Sequence, residues 1–365
     1  MSLGFEWGHP FQIPLSGSNV INDCLTPDNK PICCAATNGS KNEVTEKSIE
    51  SRQCTEERQY ISSEYEKRHV ARAHEFAAVN NHTLTWPRLW EFVKSEREIT
   101  EATEWLYEVR ALMQGEPYTV PRTSHLSKFI VKRNCGGHEY TNVEYIEPLS
   151  VHFRHPFAWG KKCASKQRVP WTNKTAHLCN TDYVLVSERK WITPGSQRYF
   201  IDCGTSVFSS SLSWFMCAYN QRGIDFDHVY GFEYTLLEPT KYWESIPLPW
   251  RHLITFFNIP VSEDNIKIIN SMGKPGDFIS WKLDIDSPKI ENPMAFELLT
   301  NNELASLIDE FFFELHFDCE IMNYCAWGTK RMSWREMNGV HLNRAEAIDF
   351  FLNLRRKGIR AHIWP

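Results

Sequence analysis

Hydrophobic and polar positions follow a regular order in the carboxyl-terminal half of the chain. Short apolar runs begin near residues 199, 229, 253, 278, 311 and 359, and helix-like segments lie at 211–222, 304–308 and 345–356. Strands that alternate with helices and are apolar throughout are typical of a parallel sheet buried on both faces. The pattern therefore predicts an α/β domain over residues 196–365, with a mostly parallel central sheet and flanking helices.

The amino-terminal half lacks this order. Residues 1–45 are rich in Pro, Gly, Asn and Ser, which predicts an irregular arm. Apolar positions recur at helical spacing between residues 46 and 114, whereas residues 115–195 mix loops with short apolar runs at 129–131 and 183–186. We therefore predict a helical and loop-rich accessory region over residues 46–195, with isolated strands in its second half.

Charge and hydropathy exclude two classes of partner. The 365 residues carry a net charge of −5, so no global basic field attracts nucleic acid. No stretch approaches the roughly 20 consecutive apolar residues of a membrane-spanning helix. The 14 Trp predict a bulky core and sites that stack a ring or a sugar. The expected partner is a small-molecule or glycan acceptor.

Cysteines and glycosylation sequons bear on the compartment. The chain has 11 Cys without a CxxC motif, and N-x-S/T sequons occur at Asn38, Asn81 and Asn173. Disulfide bonds and glycans belong to the secretory pathway, so we expect a glycoprotein of its lumen or of the extracellular space. The first twenty residues show no signal peptide. The alternative is a cytoplasmic protein with buried thiols.

Acidic residues end the first two apolar runs of the predicted sheet. Asp202 precedes a turn that contains Gly204, Thr205 and Ser206, and Glu233 closes the second run. In parallel sheets the ligand lies at the carboxyl ends of the strands, and a small-residue turn lets the backbone approach it closely. An acid at the end of the second strand is placed to accept the hydroxyls of a ribose. Each feature also has a structural explanation, as an ordinary turn or an exposed carboxylate.

Two further groups of polar residues follow the fourth and fifth runs. Lys282, Asp284 and Asp286 form a Lys-x-Asp-x-Asp pattern, in which two carboxylates can share a divalent cation such as Mg²⁺ or Mn²⁺, or divide the roles of ligand orienter and base. Glu314 and His316 follow the next run. A histidine at a strand end can act as a general base, and a structural histidine is the alternative.

The order of these motifs resembles the FkbM-like branch of class I S-adenosylmethionine-dependent methyltransferases, in particular a eukaryotic group with that domain at the carboxyl end. The resemblance covers roughly residues 145–365, and it implies a Rossmann-like methyltransferase domain. The matching segments are 200–206, 230–234, 257–262, 279–288, 309–316 and 358–365. Departures are Val207 and Phe208 where a second glycine is expected, and Asp286-Ser287 in place of Glu-Gly.

The resemblance implies an O-methyltransferase that acts on a sugar or glycan hydroxyl, with S-adenosylmethionine as cofactor. The turn after Asp202 would face the methionine part of the cofactor and Glu233 would hold its ribose. The remaining implied cofactor-binding residues are Gly204, Thr205, Ser206, Tyr234, Val261, Ser262 and Asp284. The implied catalytic residues are Lys282, Asp286, Glu314 and His316, with His316 or Asp286 as the base and Asp284 and Asp286 as the ligands of a metal.

Two other functions fit the same residues. Asp284-Ile285-Asp286 is also the DxD pattern of a metal-dependent glycosyltransferase, whose acids hold a cation that bridges a nucleotide diphosphate. Under that alternative Asp202 and Glu233 have no role. A non-catalytic, methyltransferase-like binding protein with a Trp-rich interaction surface is the third possibility.

Overall fold

A computed structural model describes residues 54–80, 104–105, 108–109, 111–113, 125–135, 137–150, 184–193, 195–262, 264–315 and 342–364. The predictions for the arm at residues 1–45, for the sequons at Asn38, Asn81 and Asn173, and for His316 lie outside these residues. Within the described part, no helix has the length and apolarity needed to cross a membrane.

Strands and helices alternate in the carboxyl-terminal half. The strands are β1 (Cys54–Ile61), β2 (Ser127–Cys135), β3 (His138–Ile146), β4 (Arg198–Cys203), β5 (His228–Phe232), β6 (Ile254–Phe257), β7 (Phe278–Leu283), β8 (Glu310–Phe313) and β9 (Arg360–Ile363). The helices with described bounds are α1 (Glu64–Asn80), α2 (Ser211–Gln221), α3 (Pro239–Ser245), α4 (Leu248–Arg251), α5 (Asp264–Met272), α6 (Pro288–Thr300), α7 (Asn302–Leu307) and α8 (Arg344–Arg356).

Strands β4 to β9 form a parallel sheet in the order β6-β5-β4-β7-β8-β9. Every residue of β7, β8 and β9 is buried, as expected for strands that are covered on both faces. The sheet and its helices confirm the predicted α/β fold. The strand order reverses between β4 and β7, and in such sheets this switch point is where ligands bind.

Helix α8 shows how local sequence sets the last crossover. Asn343 accepts a hydrogen bond from the backbone N–H of Glu346, and Glu346 accepts one from the backbone N–H of Asn343, which forms a capping box. Arg355 and Arg356 lie in the last turn, where the helix dipole favours cations. The chain then turns at Gly358, whose φ is 95°, and enters β9.

The accessory region contains a three-stranded antiparallel sheet in the order β1-β2-β3. Strand β1 lies where the sequence predicts helix, so that prediction is wrong for residues 54–61. Residues 54–61 have few apolar positions, and ion pairs stabilise the strand instead. Glu56 contacts both Arg58 and Arg133, and Arg58 Nη2 lies 2.7 Å from Asp309 Oδ1, just before β8.

The strand predicted at residues 183–186 is also absent from the described part of that segment, since residues 184–186 form no ladder. Their backbone is bound by charged side chains instead. Glu147 Oε2 accepts a hydrogen bond from Leu185 N–H at 3.0 Å, and Arg360 donates one to Leu185 O. Because carboxylate and guanidinium groups satisfy this backbone, it needs no neighbouring strand.

Six buried charged residues join the accessory region to the parallel sheet, and we call them the ionic network. His362 on β9 lies between two carboxylates, with Nδ1 2.7 Å from Glu147 Oε1 and Nε2 2.8 Å from Glu310 Oε1. None of the six is more than 3% exposed, and the network therefore ties both parts of the chain together. Its members are Glu66, Glu147, Glu310, Arg355, Arg360 and His362.

Candidate functional site

The turn after β4 is held tightly against the end of β7. Gly204 has a φ of 89°, and a Cβ atom there would lie 1.6 Å from the carbonyl oxygen of Asp284. No side chain fits at this position, so the sequence requires glycine. The next residue but one, Ser206, also has a positive φ of 51° and exposes its side chain at the carboxyl end of the sheet.

Glu233 follows β5 and organises this turn. Its Oε2 accepts a hydrogen bond from Ser206 N–H at 2.7 Å, and its Oε1 accepts one from Thr235 N–H at 2.7 Å. Each carboxylate oxygen has two lone pairs, so both oxygens keep a position for a further donor such as a ribose hydroxyl. The half-buried carboxylate is open to a ligand from the rim of the sheet.

Lys282 connects the ends of β4 and β7. Its Nζ lies 3.1 Å from each of three oxygens, Asp202 Oδ1, Gly204 O and Asp284 Oδ2, and its side chain is fully buried. Burial by itself lowers the pKa of Lys282, but the carboxylates of Asp202 and Asp284 outweigh it and raise the pKa above its ordinary value. Lys282 is therefore an ammonium that braces the site, and it has no capacity to take up a proton.

Two polar atoms beside the turn have no hydrogen-bond partner among the described residues. They are Asp202 Oδ2 and Tyr242 Oη, and both side chains are at most 2% exposed. Burial, followed by the charges of Asp202 and Glu233, raises the pKa of Tyr242, so its hydroxyl remains protonated. Burying a carboxylate oxygen without a hydrogen-bond donor costs free energy, and a donor group of a bound ligand would supply the missing hydrogen bond. This orphaned oxygen fits a cofactor site.

Three carboxyl groups meet at the ends of β7 and β8. Asp284, Asp286 and Glu314 each offer an oxygen within 4.8 Å of the others. Burial raises the pKa of Asp284 well above its ordinary value; Lys282 opposes this rise, whereas the charge and hydrogen bond of Glu314 add to it. Carboxylate oxygens are also the ligands of Mg²⁺ and Mn²⁺, so these residues could hold such a cation.

Asp286 projects from the loop that follows β7. It is exposed and has a φ of 54°, a conformation that is uncommon for residues other than glycine. Glu291, buried in the first turn of α6, accepts a hydrogen bond from Ile285 N–H at 2.6 Å and so fixes the backbone of this loop. Backbone strain of this kind concentrates at functional sites, where the surrounding structure maintains it.

The other predicted site residues have different environments. Thr205 is fully buried, and its hydroxyl donates to the carbonyl of Asp202 at 3.0 Å. Tyr234 is 79% exposed on the rim after β5. Val261 is buried and Ser262 exposed beyond the end of β6. The structure thus brings the predicted residues of β4, β5, β7 and β8 to one edge of the sheet.

Three residues of this edge are missing from the predicted set. Trp364 Nε1 donates a hydrogen bond to Asp284 Oδ2 at 3.1 Å. It follows the last apolar run, so its place at the carboxyl end of β9 could have been deduced from the parallel pattern. Tyr242 and Glu291 lie on helices, and no motif in the sequence marks them.

Comparison of the chain with models of protein families, with curated proteins and with solved structures gave no match.

Proposed function

We propose that this chain is an S-adenosylmethionine-dependent O-methyltransferase that acts on a sugar or glycan hydroxyl. The observation that carries the proposal is the orphaned Asp202 Oδ2, buried at the switch point one strand away from the carboxylate of Glu233. The resemblance to the FkbM-like methyltransferases supports it, and so does the glycine turn that holds β4 against β7. The cysteines and sequons support a lumenal location within the same proposal.

The residues of β4 and β5 would hold the cofactor. Glu233 accepts the ribose hydroxyls, and the turn at residues 204–206 lies beside the methionine part. Val261 and Ser262 follow β6, the neighbour of β5, where the adenine would lie. Lys282 positions Asp202 and the carbonyl of Gly204 through its three contacts. In this arrangement each binding residue follows a strand end at one edge of the sheet.

The residues of β7 and β8 would act on the acceptor. The bound cofactor supplies a methyl group on a positively charged sulfur. Asp286, which is exposed, or His316 takes the proton of the acceptor hydroxyl. Asp284 and Glu314 orient that hydroxyl, and Lys282 and Trp364 fix Asp284 in turn. Holding the hydroxyl in line with the methyl group is a large part of the catalytic effect.

Binding of S-adenosylhomocysteine, measured by isothermal titration calorimetry and thermal shift, tests the proposal. A ligand at 100 times its Kd stabilises the folded state by about 2.7 kcal/mol. Glu233→Gln should weaken binding at least tenfold, because hydrogen bonds to a charged group contribute roughly 1.5–3 kcal/mol. Glu139→Gln, an exposed change on β3, is the matched control and should leave binding unchanged. Absence of binding to the unaltered protein would refute the proposal.

A metal-dependent glycosyltransferase is the second candidate, favoured by the oxygens of Asp284, Asp286 and Glu314 within 4.8 Å of one another. That function predicts stabilisation by a nucleotide-sugar only when Mn²⁺ is present. Asp286→Asn should abolish this stabilisation, since a carboxylate ligand is lost. Stabilisation by S-adenosylhomocysteine in the presence of a chelator favours the methyltransferase instead. A non-catalytic binding protein predicts no stabilisation by either ligand.

A further inference from the structure

Two cysteines lie opposite each other in the β1–β2 ladder. In the antiparallel register, Cys54 at the start of β1 is the partner of Cys135 at the end of β2. Directly opposite residues of such a ladder have Cα atoms about 4.5 or 5.5 Å apart. Both values lie within the range of about 4.4–6.8 Å that a disulfide bond requires. The backbone therefore places this pair at the right separation for a bond.

The neighbouring pair on the same face shows that opposite side chains of this ladder meet. Glu56 and Arg133, the register partners two residues further along, form an ion pair. Positions two apart on a strand share a face of the sheet, so Cys54 and Cys135 occupy the equivalent positions one pair further along. Arg133 also donates a hydrogen bond to the carbonyl of Trp191, so this face of the ladder packs against another part of the chain.

The local structure favours a covalent link at this end of the ladder. Strand β1 is an edge strand with few apolar side chains, and ion pairs of partly exposed groups stabilise such a strand only weakly. The end of β2, in contrast, is fixed by the turn that leads into β3. Gly137 has a φ of 87°, and its N–H donates a hydrogen bond to Asn134 Oδ1 at 3.1 Å. The backbone beside Cys135 is therefore held in place before any bond forms.

We propose that Cys54 and Cys135 form a disulfide bond that fixes the start of β1 to the end of β2. The two thiols lose two protons and two electrons, and the disulfide of an oxidoreductase or of oxidised glutathione takes them up and becomes two thiols. The bond closes a loop of roughly 80 residues and so restricts the unfolded chain. Such bonds persist in the oxidising secretory pathway, the compartment that the sequons predict. The inference is independent of the proposed function.

Peptide mapping without reduction tests the proposal, because trypsin separates these two cysteines from all others. Cleavage after arginine releases residues 53–58 and residues 134–154, and each of these peptides contains one cysteine. The full chain is secreted from eukaryotic cells and its free thiols are alkylated in denaturant before digestion. Mass spectrometry should recover the two peptides joined. Cys203, whose burial raises the pKa of its thiol to about 12, should be recovered alkylated.

Cys54→Ala and Cys135→Ala provide a second measurement. Each variant should show one additional alkylated thiol, at the cysteine that remains, and a Tm lower by at least about 5 °C. The double variant should lose no more than either single variant, because both changes break the same bond. Thr55→Ser, at an exposed position of β1, is the control and should change neither quantity.

Three results would overturn the proposal. The first is recovery of peptides 53–58 and 134–154 as separate alkylated species from the unaltered protein. The second is a bond from either peptide to a different cysteine. The third is a double variant whose loss of Tm equals the sum of the two single losses, since each cysteine would then act alone. If a variant fails to fold, the peptide map of the unaltered protein decides by itself.

Discussion

Replacing Glu310 by glutamine removes a charge from the centre of the ionic network. The carboxylate accepts four hydrogen bonds: Oε1 from His362 Nε2 at 2.8 Å, Arg360 Nε at 3.2 Å and Ser187 N at 3.0 Å, and Oε2 from Tyr219 Oη at 2.8 Å. A glutamine presents an NH₂ group to some of these donors. At least one donor therefore loses its acceptor in a region that water does not reach.

The pKa of Glu310 sets the expected loss in the free energy of unfolding. Burial by itself raises the pKa of Glu310, but the hydrogen bond from His362 and the charge of Arg360 outweigh it and lower the pKa from 4.5 to about 2. A difference of about 2.5 pH units corresponds to about 3 kcal/mol. Removing one partner of a buried ion pair costs about 3–5 kcal/mol in measured cases. We expect Glu310→Gln to lower the free energy of unfolding by about 3 kcal/mol at pH 7.

The lowered pKa of Glu310 also predicts that the destabilisation by Glu310→Gln depends on pH. A carboxyl group whose pKa is depressed in the folded state stabilises that state above its unfolded pKa, here 4.5, and loses this effect as the pH falls through about 2. The difference in stability between the unaltered protein and Glu310→Gln should therefore shrink as the pH decreases below 4.5. At pH 7 the difference should be complete.

Urea unfolding at pH 7 and at lower pH measures this prediction. Glu139→Gln serves as the control, because Glu139 is exposed on β3 and such surface changes stay within about 0.5 kcal/mol. A loss below 1 kcal/mol for Glu310→Gln at pH 7, or a loss that does not depend on pH, would refute the reasoning. It would mean that the four donors find other acceptors at little cost.

Three further predictions concern single positions. Burial by itself lowers the pKa of His362, but contact with two carboxylates outweighs it and raises the pKa above 6.5. The contribution of His362 to the free energy of unfolding should therefore be complete below pH 6.5 and decline as the pH rises through the higher pKa of the folded state. His362→Gln should remove this pH dependence in urea titrations. Gly204→Ala should destabilise the protein far more than Gly276→Ala. Both glycines have a positive φ, but a Cβ atom at Gly204 would clash with the Asp284 carbonyl, whereas one at Gly276 faces open space and should cost only about 1–2 kcal/mol. Equal losses in thermal unfolding would contradict the close contact at Gly204. Asn343→Ala should lower the unfolding free energy by about 1 kcal/mol through loss of the α8 cap, and an unchanged Tm would contradict the capping role.

The parallel sheet could be predicted because its strands are apolar along their whole length. The runs at β4, β5 and β7 each precede an acid, and the carboxyl ends of neighbouring parallel strands share an edge. The proximity of Asp202 to Glu233, and of Asp284 to Glu314, follows from that rule alone. The sequence therefore predicts those site residues that lie at the carboxyl ends of strands.

The remainder depends on contacts between distant parts of the sequence. Strand β1 is polar and is stabilised by pairs such as Arg58 with Asp309, which are 251 residues apart. The segment at 184–187 is held by Glu147, Arg360 and Glu310 rather than by a strand. Tyr242 lies on a short helix that begins with a proline. No local period of the sequence encodes such contacts, so the pattern of apolar and polar positions does not predict them.

The ionic network has a consequence for any attempt to isolate the half of the molecule that contains the parallel sheet. Arg355 draws its anionic partners Glu66 and Glu147 from upstream of residue 150, and His362 shares Glu147. A shortened chain that starts at residue 196 would bury these cations beside missing anions, although its own sheet would be complete. The composition change near residue 195 is therefore a poor place to cut, and a fragment that keeps these ion pairs must extend back at least to Glu66 on α1.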